Sequence, residues 1–254
     1  MLSYKTFHLS KNAKWLTFIH GAGGSSTIWY KQIKELKPYF NLLLIDLRGH
    51  GMSNQLPIGD NYTLDDVTNE LVDVCNHLNI SKSHFMGVSL GSVLIAKLTQ
   101  SRPQLVDKVV LSGAITRFNL KTRFLLRLLL FTKNILPNMV LYATFAWIVM
   151  PKKNHRFSRK LFVREAKKIK HRAFRKWLRL LPEIKATIDN ISNLKIDRPV
   201  LFISGQEDYL FVNQIEEYVK SHSNCILKRI KHSGHIVNID QPHLFNKHTL
   251  QFLR

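Results

Sequence analysis

An α/β fold with a mostly parallel sheet and one helical insertion is predicted from three observations. Short apolar runs alternate with amphipathic helical patterns at both ends of the chain, the alternation stops between residues 116 and 195, and most of the net charge of +21 lies in that gap. The first two are the signature of a helix-covered sheet broken by an inserted segment. With 254 residues, 45% of them hydrophobic and 22% charged, the chain can bury one large core, and neither disorder nor a fibrous architecture is indicated.

Taken in order, Trp15 to His20 and Leu42 to Leu47 read as strands, and Thr63 to Leu78 as a helix with Leu64, Val67, Leu71, Val74 and Leu78 on one face. A strand at His84 to Val88, a helix from Leu90 to Gln100 and a strand at Lys108 to Leu111 complete the first part, residues 1–115. Residues 116–195 have helical composition without strands and read as a cap, or lid. The second part of the core, residues 196–254, resumes with strands at Val200 to Ser204 and Ile226 to Ile230, a helix at Asn213 to Lys220 and a closing helix from Pro242.

Two cysteines, Cys75 and Cys225, are too few for a disulfide framework, so a reducing cytoplasm is the expected location. Met1 to Trp15 lacks the features of a secretory signal. The most apolar region, Phe124 to Met150, is interrupted by Arg127, Lys133, Asn134, Pro137 and Asn138. Its longest clean run, Met139 to Met150, falls short of the ~20 residues that a membrane span needs.

The chemistry centres on Gly87-Val88-Ser89-Leu90-Gly91, a G-x-S-x-G with an apolar strand before it and a helical pattern after it. That context describes an elbow exposing the serine as a nucleophile, with glycines on both sides because a Cβ there would meet the tightly folded backbone. A serine hydroxyl needs a base. His235, in Ser233-Gly234-His235 after the last strand, is the candidate, with His232 as a strand-end rival. Asp208, following the strand Val200 to Ser204 in Gly205-Gln206-Glu207-Asp208, is the carboxylate expected to orient it, and Glu207 is its rival. In His20-Gly21-Ala22-Gly23-Gly24 the backbone can face a substrate, so that the N–H groups of Ala22 and Leu90 would form an oxyanion hole, often worth ~3 kcal/mol per donor. A nucleotide P-loop is a poor alternative because the Lys-Ser/Thr ending is missing. No metal or cofactor is required.

With Asp46-Leu47-Arg48-Gly49-His50-Gly51-Met52-Ser53 added to these motifs, the sequence from residue 20 to 242 resembles the α/β-hydrolase superfamily. The resemblance implies an eight-stranded sheet, a Ser-His-Asp triad, a cap inserted after the sixth strand, Trp29 packed behind the oxyanion loop, and structural roles near the site for Arg48 and His50. Serine at the nucleophile position argues against dehalogenases and epoxide hydrolases, which carry Asp there. An aminopeptidase would need cap acids, for which Glu165 and Glu183 are the obvious candidates.

The cap holds twenty Lys or Arg against three acids, a net of +17. From Arg159 to Leu181 a two-faced helical pattern sets Phe162, Ala166, Ile169, Ala173, Trp177 and Leu180 against Lys160, Arg164, Lys168, Arg172, Arg175 and Arg179. The apolar side is expected over the active site. The basic side reads as a solvated face, a contact for anionic lipid at the inner face of the membrane, or a dock for an acidic carrier protein. Nucleic acid is disfavoured, since no recognition motif accompanies the charge. The expected activity is hydrolysis of carboxylic esters with a hydrophobic acyl or alkyl group, as in carboxylesterases and lipases. A thioesterase or carrier-linked ester hydrolase is the alternative, and a non-catalytic receptor or membrane-surface binding protein is the reading from another class.

Overall fold

A computed structural model of the chain describes residues 1–133, 135–193 and 196–254, with side chains of 191–193 left out. Asn134 and Lys195, assigned from sequence to the cap segment, lie outside the described residues. Seven strands form one sheet: β1 (Tyr4–Phe7), β2 (Trp15–Ile19), β3 (Asn41–Ile45), β4 (Ser83–Val88), β5 (Val106–Ser112), β6 (Val200–Gly205) and β7 (Cys225–Ile230). Their order is β1-β3-β2-β4-β5-β6-β7, with β1 antiparallel to β3 and every other pairing parallel.

Two expectations change. The sheet has seven strands among the described residues where the resemblance implies eight, so the insertion follows the fifth strand and not the sixth. The edge strand β1 escaped the sequence reading because its four residues bury only partly on either face and give no apolar run.

Helices α1 (Tyr30–Leu36), α2 (Leu64–His77) and α3 (Leu90–Ser101) belong to the first part of the core. The insertion supplies α4 (Leu120–Thr132), α5 (Asn138–Val149), α6 (Arg156–Ala166), α7 (His171–Arg179) and α8 (Leu181–Asn193). The chain then returns to the sheet and adds α9 (Val212–Lys220), the short α10 (Val237–Asp240) and α11 (Pro242–Leu253). Alternate strand residues divide the core between the two faces of the sheet, as the period-two geometry of a strand requires. Leu43, Ile45 and Phe85 pack with α2, α3 and α9. Leu42, Leu44 and Met86 pack on the other side with Trp29, Leu36 and Phe245.

The two-faced pattern from Arg159 to Leu181 is not one helix. It divides into α6 and α7, the chain leaving helical geometry at Lys170 (φ −64°, ψ 143°). The apolar stripe still faces inward: Phe162, Ala166, Ala173, Trp177 and Leu180 are buried and Ile169 partly so. Helix α8 lays Ile184 and Ile188 into the same cluster as Val93 and Leu94 of α3.

Candidate active site

Ser89 occupies the turn between β4 and α3 with φ 52° and ψ −115°, a conformation that persists in a non-glycine residue only where its surroundings hold it. Its N–H donates to the Ser112 carbonyl (3.0 Å) and its own carbonyl accepts from Ser92 Oγ (2.6 Å). The crossing is tight on both sides. A Cβ on Gly91 would lie 2.3 Å from the Ile19 carbonyl oxygen, and one on Gly87 would lie 2.6 Å from Ile95 Cδ1.

Asp208 lies three residues beyond the end of β6 and is fully buried. Its Oδ2 accepts a hydrogen bond from His235 Nδ1 at 2.9 Å. With Nδ1 carrying the proton, Nε2 is the basic nitrogen of the ring. Nε2 is buried with no hydrogen-bond partner, and His235 lines the same narrow cavity as Ser89. The loop carrying the histidine is fixed by the Gly234 N–H, which donates to Asp240 Oδ2 at 2.9 Å. His232, by contrast, is exposed on the surface.

Glu207 points the other way. Its oxygens accept from Lys152 Nζ (2.8 Å), Asn154 Nδ2 (2.9 Å) and His155 Nε2 (2.8 Å), all from the segment between α5 and α6. Partial burial pushes its carboxyl up, but these hydrogen bonds outweigh that and hold it down at about 2. His155 in turn fills the space beside Gly234, where a Cβ would lie 2.8 Å from its Cε1.

The loop after β2 is pinned from several sides. His20 Nδ1 donates to the Gly21 carbonyl (2.8 Å) and its Nε2 accepts from the Leu47 N–H (3.0 Å). His50 Nε2 accepts from the Gly23 N–H (3.2 Å). Burial first, then the neighbouring His20, lowers His50 to about 3, so both rings act as neutral struts. Asp46 accepts from the N–H groups of Ser26 (2.6 Å) and Met52 (2.9 Å). Trp29 is fully buried between Phe18 and Phe245. Ala22 lines the cavity, and neither its N–H nor that of Leu90 has an acceptor among the described residues.

Apart from Ser158, the rest of the cavity wall among the described residues is apolar. Ile28, Val88, Phe145, Val149, Met150 and Phe162 are among its residues, and no Lys, Arg, Asp or Glu is. Glu165 and Glu183 are both engaged elsewhere: Glu165 Oε2 accepts from Ser25 Oγ (2.8 Å) and from Lys168 Nζ (2.8 Å), and Glu183 accepts from the Leu64 N–H (2.8 Å). Sequence reasoning missed the positioning parts played by Asp46, Ser25, Glu165 and His155. Asp46 alone carried a signal, as a carboxylate at a strand end beside a glycine-rich loop. The others meet partners 52 or 140 residues away.

This arrangement sets a serine and a carboxylate-held histidine on one mostly apolar cavity, and its framework is shared. The chain belongs to the α/β-hydrolase fold family, whose model matches residues 14–242, and it is a hydrolase of that family. It is 28% identical over 247 residues to a RutD protein of Agrobacterium fabrum named for carbamate hydrolysis, covering 92% of this chain and 90% of the relative. It is 22% identical over 237 residues to 3-oxoadipate enol-lactonase 1 of Acinetobacter baylyi, covering 92% and 86%. The crystal structure of the enol-lactonase from Burkholderia xenovorans LB400 superposes with a TM-score of 0.77 at 22% identity, over 99% of this chain and 96% of that one, a likeness of fold.

Proposed function

We propose that this hydrolase cleaves uncharged carboxylic esters bearing a hydrophobic acyl or alkyl group, through an acyl-enzyme on Ser89. Ser89 Oγ attacks the ester carbonyl while His235 Nε2 takes its proton, and Asp208 keeps the ring in the required tautomer. The N–H groups of Ala22 and Leu90 receive the oxyanion. Collapse of the tetrahedral adduct expels the alcohol, which takes the proton from His235. Water then attacks the acyl-enzyme with His235 again as base, and the acid leaves as Ser89 recovers its hydrogen.

The observation that carries this reading is that Ser89 and a His235 ring held by Asp208 through Nδ1 line one cavity, whose wall has no charged residue among the described residues. An anionic substrate would lose hydration there with no cation to replace it. The relatives' names fit the same acyl chemistry, since an enol-lactone is an ester closed into a ring. A panel of p-nitrophenyl esters, lactones and carbamates tests the class. Neutral short and medium esters are expected to turn over best, and a clear preference for substrates carrying a carboxylate would reverse the proposal. A fluorophosphonate should label Ser89, and Ser89→Ala should lose labelling and on the order of 10⁶ in turnover. An alanine variant keeping more than a few per cent of wild-type activity would remove Ser89 from the mechanism.

A further inference from the structure

The cap presents an apolar stripe that nothing among the described residues covers. On α4, Leu120, Phe124, Leu128 and Phe131 are 84%, 65%, 47% and 75% exposed, and Ile135 and Leu136 beyond the helix are 70% and 39% exposed. At 3.6 residues per turn the four helical side chains fall within an arc of about 80°. The opposite side of the helix is used for packing, Leu129 lying against Leu141, Phe174 and Leu178. Monomeric proteins rarely leave a contiguous apolar face of this kind open without a partner.

Charge identifies the partner. Lys121 borders one edge of the stripe and Arg123 and Arg127 the other, all three exposed and none with an acidic partner among the described residues. Residues 117–150 contain five Lys or Arg and no Asp or Glu. A second copy of the same face would bring like charges together, whereas an anionic lipid surface complements them and accepts the apolar side chains. The thirteen residues of α4 span about 20 Å, short of a bilayer core, and no helix among the described residues is long and apolar enough to cross a membrane. Several basic residues in and between α6 and α7 are engaged: Arg164 and Lys168 pair with Glu165, Arg179 with Asp60, and Arg175 donates to the Lys133 carbonyl, while Arg156, Lys160 and Arg172 stay exposed.

We propose that α4 lies in the interface of an anionic membrane, its apolar stripe below the headgroups and Lys121, Arg123 and Arg127 among them. This docking does not depend on the ester-hydrolase reading. The test is co-sedimentation of the full chain with phosphatidylcholine vesicles, with and without 30% phosphatidylglycerol, at low and high salt. The wild type should bind the anionic vesicles at least tenfold better than the neutral ones, and salt should weaken the binding. Phe124→Gln/Phe131→Gln should reduce it at least tenfold and Arg123→Gln/Arg127→Gln several-fold, while hydrolysis of soluble p-nitrophenyl butyrate stays within twofold. A Leu128→Cys variant with an environment-sensitive fluorophore, which leaves the other stripe residues in place, should shift to the blue on anionic vesicles.

Failure of the wild type to sediment at low salt would overturn the proposal, as would unchanged emission at position 128. Loss of binding in Arg172→Gln/Arg175→Gln with the α4 variants unaffected would move the dock to another face. A dimer in light scattering that Phe124→Gln/Phe131→Gln dissociates, without vesicle binding, would identify a second copy as the occupant and overturn it too. So would binding to soluble polyglutamate as tight as to vesicles and indifferent to the two phenylalanines.

Discussion

Glu207 and Asp208 are neighbours in the chain, yet one carboxylate reaches the cap and the other reaches His235. Their removal should therefore have different signatures. Asp208→Asn should cost roughly 10⁴ in turnover by favouring the wrong tautomer of His235, measured as kcat on a soluble ester. Glu207→Gln should leave kcat within about tenfold and lower Tm by ~2–4 °C, the equivalent of about 1 kcal/mol for a chain of this size. That loss has a pH signature. Folding depresses the Glu207 carboxyl from 4.5 to about 2, so its contribution is complete above about 4.5 and disappears as pH falls towards 2. The Tm gap between wild type and Glu207→Gln should close over that window, and a gap widening in acid would contradict the assignment. At this scale the strand-end positions of Ser89, His235 and Asp208 were legible because each follows a strand in a short motif. The reason Glu207 is occupied, a histidine 52 residues away, left no trace in the local sequence.

Among the elements, the junction of β4 with α3 has the least room. Gly91→Ala would drive a methyl group to 2.3 Å from the backbone of β2, and overpacking of this kind costs about 1–3 kcal/mol or more. Chemical denaturation should show the loss directly, together with reduced fluorophosphonate labelling; full stability would mean that β2 can move aside. The inner strands β2, β3, β4 and β6 were readable because burial on both faces makes their sequences largely apolar. Strand β1 was not, since an edge needs only partial burial. The break between α6 and α7 was hidden for another reason: periodicity records which side of a segment is buried, and the buried side continues across Lys170 although the helix does not.

Over the whole molecule, cap and core are tied at widely spaced points. Glu207 holds Lys152 and His155, Glu165 holds Ser25, Trp177 Nε1 donates to the Arg48 carbonyl (2.9 Å), and Lys176 pairs with Asp60. With Ile184 and Ile188 shared in one cluster with α3, the insertion has no separate core on that side. Thermal unfolding should accordingly be a single transition by near-UV and far-UV circular dichroism; two resolved transitions would show the cap melting alone. The concentration of charge in residues 116–195 was plain in the sequence, but its outlet was not. The contacts of Arg179 with Asp60 and of Arg175 with the Lys133 carbonyl are tertiary properties, and so is the exposure of α4.

The Ser25–Glu165 hydrogen bond links a cap helix to the loop that carries Ala22. In kinetic terms it would make a cap that moves a timing element. If the cap lifts to admit an ester, this tie breaks and the loop holding one proposed oxyanion donor slackens; when it settles again, the donor is fixed at the moment the cavity is closed to water. Substrate exchange and acyl transfer would then belong to alternate phases of one cycle, and the slower of the two phases would set the turnover number.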